Sequence, residues 1–231
     1  FFLSIGSGDK YTGGHIVLTA GLSTAASHGT GGAVSLTTGE GEPSTSGAVI
    51  IKTLNAGASG VSGTLSFTSG TASGGNSGQM VLATGSATNG EGGDIIVSVG
   101  KSKTDAGGDV WVTAGHSEPF TGGAVSLTTG EGTTDTSGAV VIKTMNAGTS
   151  GVSGMLSFTS GTASSGTSGH INMFTGSATN GKGGDFFLSI GSGDKYTGGH
   201  IVLTAGLSTA ASHGTGGAVS LTTGEGEPST S

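Results

Sequence analysis

A glycine followed by an alternating apolar run returns about every fifteen residues, and this recurrence constrains the fold more than any other feature. The marker glycines are Gly14, Gly32, Gly47, Gly63, Gly78, Gly93, Gly108, Gly123, Gly138, Gly154, Gly169, Gly184, Gly199 and Gly217. Most steps between them are 15 residues, two are 16, and the first and last are 18. Longer periods are built on the short one. The segment from Gly47, GAVIIKTLNAGASGVSGTLSFTSGTAS, returns with few changes from Gly138, 91 positions later. Residues 1–46 return without substitution as 186–231, an interval of 185. Successive duplication of the short unit accounts for all three levels.

Two and four places after the marker, every unit carries an apolar residue: Ile16 and Leu18, Val49 and Ile51, Leu65 and Phe67, Val110 and Val112, Leu156 and Phe158, and their equivalents. Such period-two alternation, bounded by glycine, predicts a β-strand with one face inward. The rest of each unit is rich in Gly, Ser, Thr and Asn, with turn dipeptides such as Asn89-Gly90 and Asn180-Gly181. Glycine supplies 51 of the 231 residues, which without a period would suggest disorder. With the period, the expected fold is all-β. It is a parallel β-solenoid, or β-helix, of ~15-residue coils with two thin sheets and no helices, its coils stacked ~4.8 Å apart. The expected organisation is one continuous domain over residues 1–231, with about 15 coils and six-coil sub-repeats of 91 and 94 residues. The ten residues just named form its core. Small residues nine places after the marker, such as Gly41, Ala72, Ala87 and Ser102, leave room for a second, thinner sheet. The pattern holds at Phe1 and at Ser231 without capping segments, so the chain reads as a window of a longer polymer that also stacks end to end.

The residue three places after the marker points away from that core. Val81, Ile96 and Trp111 occupy it in consecutive units, and Phe187 and Val202 repeat the theme. Exposed apolar stripes mark interaction surfaces, so these five are the candidate lateral interface. Threonine recurs five places after the marker, at Thr19, Thr37, Thr68, Thr113, Thr128, Thr159, Thr204 and Thr222. A flat threonine array would suit ice binding, but Lys52, Ala83, Lys143 and Phe174 interrupt it. His170, Asp185 and His200 share the place just after the marker, a set that could ligate zinc or copper or simply form a polar ladder. Asp94, Asp109 and Asp185 follow Gly-Gly, but the period and the missing Gly-x-Asp half do not fit a calcium-binding nonapeptide.

Composition removes several classes of function. The chain has seven lysines, no arginine and a formal net charge of −7, which leaves no basic patch for nucleic acid. It has no cysteine for disulfides or thiolate metal sites. No apolar run approaches the ~20 residues of a membrane-spanning helix. No acid pair, nucleophile elbow or Arg/Lys cluster stands apart from the repeats, so no enzyme and no cofactor is read from the sequence. Serine and threonine around Glu42-Pro43-Ser44-Thr45-Ser46 suit O-linked glycans, whereas no Asn-x-Ser/Thr sequon is present.

Units such as GGDIIVSVGKSKTDAGGDVWVTAG and SGAVVIKTMNAGTSGVSGMLSFTSGTAS resemble the long Gly/Ser/Thr-rich repeats expected at the cell surface of diatoms and other microalgae. The resemblance spans the chain and implies an extracellular or cell-surface structural role with no catalytic residues. The expected function is a non-catalytic subunit of an extracellular filament, appendage or surface fibre that associates with itself end to end and side by side. An adhesin stalk and an ice-binding threonine face are the alternatives.

Overall fold

The computed structural model of the chain describes residues 3, 5–6, 13–24, 29–210, 212 and 214–226. Among these residues there is no helix and no strand. This overturns the expected all-β parallel β-solenoid and its stacked ~15-residue coils. The chain instead divides into two units, Phe1–Val112 and Thr113–Ser231. Phe1 and Ser231, expected as the uncapped edges of a solenoid, lie outside the described residues.

The fifteen-residue period survives as a recurring bend. Within Phe1–Val112 the chain bends at 42–44, 73–75, 88–90 and 103–105. Within Thr113–Ser231 it bends at 118–120, 133–135, 164–166, 179–181 and 194–196. Each bend lies ten to twelve places after its marker glycine. The residues there are those that turns select: Pro43 and Pro119, Asn89-Gly90 and Asn180-Gly181, Asp105 and Asp135. Asn180 sits at φ 61° and Gly166 at φ 112°, conformations that favour asparagine and glycine. The units from Gly47 and Gly138 turn one place later, at 58–59 and 149–150, closed by Gly60 N–H to Gly57 C=O and Gly151 N–H to Gly148 C=O, both 3.2 Å.

Around several bends the loop is pinched shut by one backbone hydrogen bond. In Phe1–Val112, Gly32 N–H donates to Gly21 C=O at 2.8 Å and Gly47 N–H to Gly39 C=O at 3.1 Å. In Thr113–Ser231, Gly123 N–H donates to Gly115 C=O at 2.9 Å, Gly138 N–H to Gly130 C=O at 3.1 Å, and Gly217 N–H to Gly206 C=O at 2.8 Å. Identical sequence gives matching geometry, as in the pairs at Gly32 and Gly217. The loop closed by Gly32 spans eleven residues and the one closed by Gly123 spans eight. The three extra residues are therefore absorbed inside the loop, and the neck is kept. Glycine is favoured at the Gly32 and Gly123 necks because the two backbones approach closely there, whereas at Gly47 and Gly138 a Cβ would lie 3.9 and 3.7 Å from the facing backbone nitrogen. A Cβ on Gly32 would lie 3.0 Å from the Gly21 nitrogen, and one on Gly123 3.2 Å from the Gly115 nitrogen.

Where they form, these necks compete directly with a solenoid ladder. A parallel ladder would pair the marker N–H with the next coil, about fifteen residues away. At Gly14, Gly32, Gly47, Gly123, Gly138 and Gly217 the donor is spent eight or eleven residues back, inside its own loop, and the other marker amides donate no backbone hydrogen bond among the described residues. Nor does a core compensate. Ile16, Leu18, Val49, Ile51, Leu65, Phe67, Val110, Val112, Leu156 and Phe158, expected to be the core, are 49–73% exposed. No hydrophobic side chain is buried among the described residues. The accessible surface is 23215 Å². A compact chain of 21.8 kDa exposes about 9,300 Å² and an extended one about 32,000 Å².

The necks generate the first prediction. Replacing Gly123 by Ala should open its neck and raise the exchange rate of the Gly123 amide several-fold, since a net hydrogen bond is worth about 1 kcal/mol. Gly130→Ala should leave the Gly138 neck closed, because nothing lies within 4 Å of a Cβ there. Amide hydrogen exchange in dilute solution reads both. Equal exchange at the two necks in both variants would contradict the geometry.

Candidate interaction surface

The apolar runs keep their alternation even though nothing covers them. The ten core candidates two and four places after the marker are 49–73% exposed, while Leu82 and Leu221 in the same columns reach 74% and 88%. Val81, Ile96, Trp111, Phe187 and Val202, three places after it, are 71–85% exposed. The lateral-interface candidates are on average the more exposed, but the two ranges overlap at Val81. Val81, Ile96 and Trp111 belong to Phe1–Val112, and Phe187 and Val202 to Thr113–Ser231.

One open groove forms inside Phe1–Val112. Its volume is about 330 Å³, and it is lined by Phe67, Met80, Val81 and Leu82. Phe67 comes from one run and the other three from the next, so two neighbouring runs approach one another there. The groove takes in two residues absent from the sequence-based candidates, Met80 and Leu82. The signal was present, since both stand two and four places after Gly78.

Polar side chains serve their own loops. Ser102 Oγ accepts from the Asp105 amide at 3.1 Å, and Ser117 Oγ accepts from the Phe120 amide at 3.2 Å, one unit later. Asp105 Oδ1 accepts from the Ala106 amide at 2.8 Å, and Asp135 Oδ1 accepts from the Thr136 amide at 2.8 Å. Serine nine places after the marker thus closes the bend, rather than making room for a second sheet. His170, Asp185 and His200 are not brought together, and no group of three metal-ligating side chains forms among the described residues. Asp185 pairs with Lys182, whose Nζ lies 2.8 Å from Oδ2. The sequence reading did not single out this pair, although its signal is plain: opposite charges flank Gly183-Gly184, where the equivalent unit has Glu91 and Asp94. With the two side chains 80% and 51% exposed, the pair adds little stability. Among the described residues, threonine side-chain oxygens make two short-range contacts, Ser35 Oγ to Thr37 Oγ1 at 3.4 Å and Thr136 Oγ1 donating to Asp135 Oδ1 at 3.5 Å.

No protein-family model, no curated protein and no solved structure matches this chain. The resemblance to microalgal surface repeats therefore rests on the quoted units alone. No helix among the described residues is long and apolar enough to cross a membrane.

Trp111 is the single tryptophan, and it is 84% exposed. The dilute chain should show the red-shifted emission of a hydrated indole, with ready quenching by acrylamide. Blue-shifted, protected emission at the lowest measurable concentration would place Trp111 in a buried setting that the structure does not have.

Proposed function

We propose that this chain is a non-catalytic structural subunit of an extracellular fibre, appendage or surface coat, and that it acts by associating with copies of itself. The observation that carries this reading is the regular apolar run without a core. Removing one large aliphatic or aromatic side chain from water contributes roughly 1.5–3 kcal/mol, and the units present such side chains at every repeat. A single copy leaves most of that contribution unrealised. A second copy carries the same periodic face and can cover it.

Repetition makes weak contacts effective. Once one run of a copy is engaged, the next is held nearby at high effective concentration, so small contributions accumulate along the chain. Charge does not oppose this. Only 9% of residues are charged, and the net charge of −7 is spread over 231 residues. The exposed residues Ile96, Trp111 and Phe187 supply the side-by-side contact. O-linked glycans on the Ser/Thr-rich loops would keep the opposite surface hydrated. The extracellular setting is supported by the resemblance of the repeat units to cell-surface repeats of microalgae. An adhesin stalk would use the same association. The ice-binding alternative has less support, because a threonine lattice needs a rigid ladder to hold its spacing and the described residues contain none.

Sedimentation velocity and negative-stain electron microscopy over a concentration series test the reading. The chain should form concentration-dependent, elongated assemblies. The triple variant Ile96→Lys, Trp111→Ser, Phe187→Ser should raise the concentration needed by about tenfold or more, equivalent to about 1.4 kcal/mol or more per association step. A chain that stays monomeric throughout, or assembly that the triple variant leaves unchanged, would count against it.

A further inference from the structure

The two Asn-Gly bends are chemically distinct from every other loop. The chain has six asparagines, and only Asn89 and Asn180 precede glycine; Asn55, Asn76, Asn146 and Asn172 precede Ala, Ser, Ala and Met. Both Asn-Gly pairs lie in exposed bends, at 88–90 and 179–181. Among the described residues, neither the Gly90 nor the Gly181 amide donates a backbone hydrogen bond. Both glycines are sterically open. A Cβ on Gly90 would have nothing within 4 Å, and one on Gly181 would meet only the Ala178 Cβ at 3.7 Å.

We propose that Asn89 and Asn180 are self-modification sites, each converting to aspartate and isoaspartate through a cyclic imide closed by the following glycine. The glycine amide nitrogen gives up its proton to solvent base and attacks the asparagine side-chain carbonyl carbon. A new C–N bond forms. The bond from that carbon to the side-chain nitrogen breaks, and the nitrogen leaves as ammonia after taking a proton. Water then adds to one of the two imide carbonyls and opens the ring, giving aspartate or isoaspartate. Nothing is oxidised or reduced, and water is the only co-reactant. Glycine matters because it places no side chain beside the attacking nitrogen.

The two sites have different neighbours, so the same reaction has different consequences. A carboxylate at position 180 lies two residues before Lys182, which already holds Asp185 at 2.8 Å. A carboxylate at position 89 joins Glu91 and Asp94 on one loop, where no lysine stands. Conversion adds one negative charge to each of two nearly identical units, SATNGKGGD with Lys182 and Asp185 and SATNGEGGD with Glu91 and Asp94, so only the first has a cation beside the new carboxylate. The isoaspartate product also inserts a methylene into the backbone and so alters the spacing of its own unit. This inference is independent of the self-association reading.

The test is incubation of the purified full chain in enzyme-free buffer, followed by peptide mapping that separates isoaspartate from aspartate, with ammonia release measured in parallel. Asn89 and Asn180 should convert about tenfold or more faster than the other four asparagines. Gly90→Ala and Gly181→Ala should each suppress conversion at their own site only. The open space around both glycines means that this loss does not come from misfolding. Equal rates at all six asparagines, or alanine variants that convert as fast as the parent chain, would overturn the proposal.

Discussion

Ordering a backbone costs conformational entropy at every residue, and that cost has to be offset by surface removed from water. In each fifteen-residue unit here, the alternation turns only two large side chains to one side, and the rest is Gly, Ser, Thr and small loop residues. Glycine raises the cost further, because it loses the most freedom on folding. With no second bulky layer opposite Val49 and Ile51, or opposite Leu65 and Phe67, a single copy has nothing to close against. Exposed runs, locally closed loops and the missing ladder all follow from that imbalance. Local order persists where it is inexpensive, at bends formed by Pro, Asn, Asp and Gly and at necks closed by one hydrogen bond.

Much of the local structure was legible in the sequence, and the tertiary structure was not. The period located the bends, because turn chemistry is carried by a few residues such as Asn89-Gly90 and Glu118-Pro119. The alternation leaves a trace in some units, as at Ile95 with 49% and Ile96 with 82% exposure, and none in others, as at Val81 with 71% and Leu82 with 74%. What alternation does not encode is where a backbone donor finds its acceptor. The Gly47 amide could pair with a neighbouring coil or with Gly39 across its own loop, and both choices leave the side-chain pattern unchanged. The solenoid expectation assumed the first, and the structure uses the second. For the candidate surface, Trp111 and Ile96 are 84% and 82% exposed, but with no core among the described residues the inward and outward sides of the expected strand have no counterpart. The Lys182–Asp185 pair was not legible, because it depends on a loop conformation at Gly183-Gly184 rather than on the strand-like pattern.

The insertions show which part of the unit is under constraint. Residues 22–31 exceed the equivalent stretch 116–122 by three residues, yet both loops end in a glycine-to-glycine neck of nearly the same length. A longer closed loop costs only slightly more entropy than a short one, so the extra residues are tolerated. The apolar run has no such tolerance. An odd insertion inside it would move every later side chain to the opposite face. Variation in this chain accordingly collects in the loops, while the columns two and four places after the marker stay apolar in all fourteen units.

This division has a consequence for assembly. If copies cover one another along the apolar runs, the loops remain at the surface whatever the number of copies. The surface then carries most of the charged side chains, while Lys52, Lys143 and Asn172 stand within the runs themselves. Chemistry in the loops, whether glycan addition at Ser44 or Thr45 or imide formation at Asn89 and Asn180, proceeds without breaching the apolar contact. Its effect on association is exerted through charge at the periphery, where salt screens it and each added carboxylate counts for little. A polymer built this way can change its surface with age while keeping its cohesion, because the two properties reside on different residues of the same fifteen-residue unit.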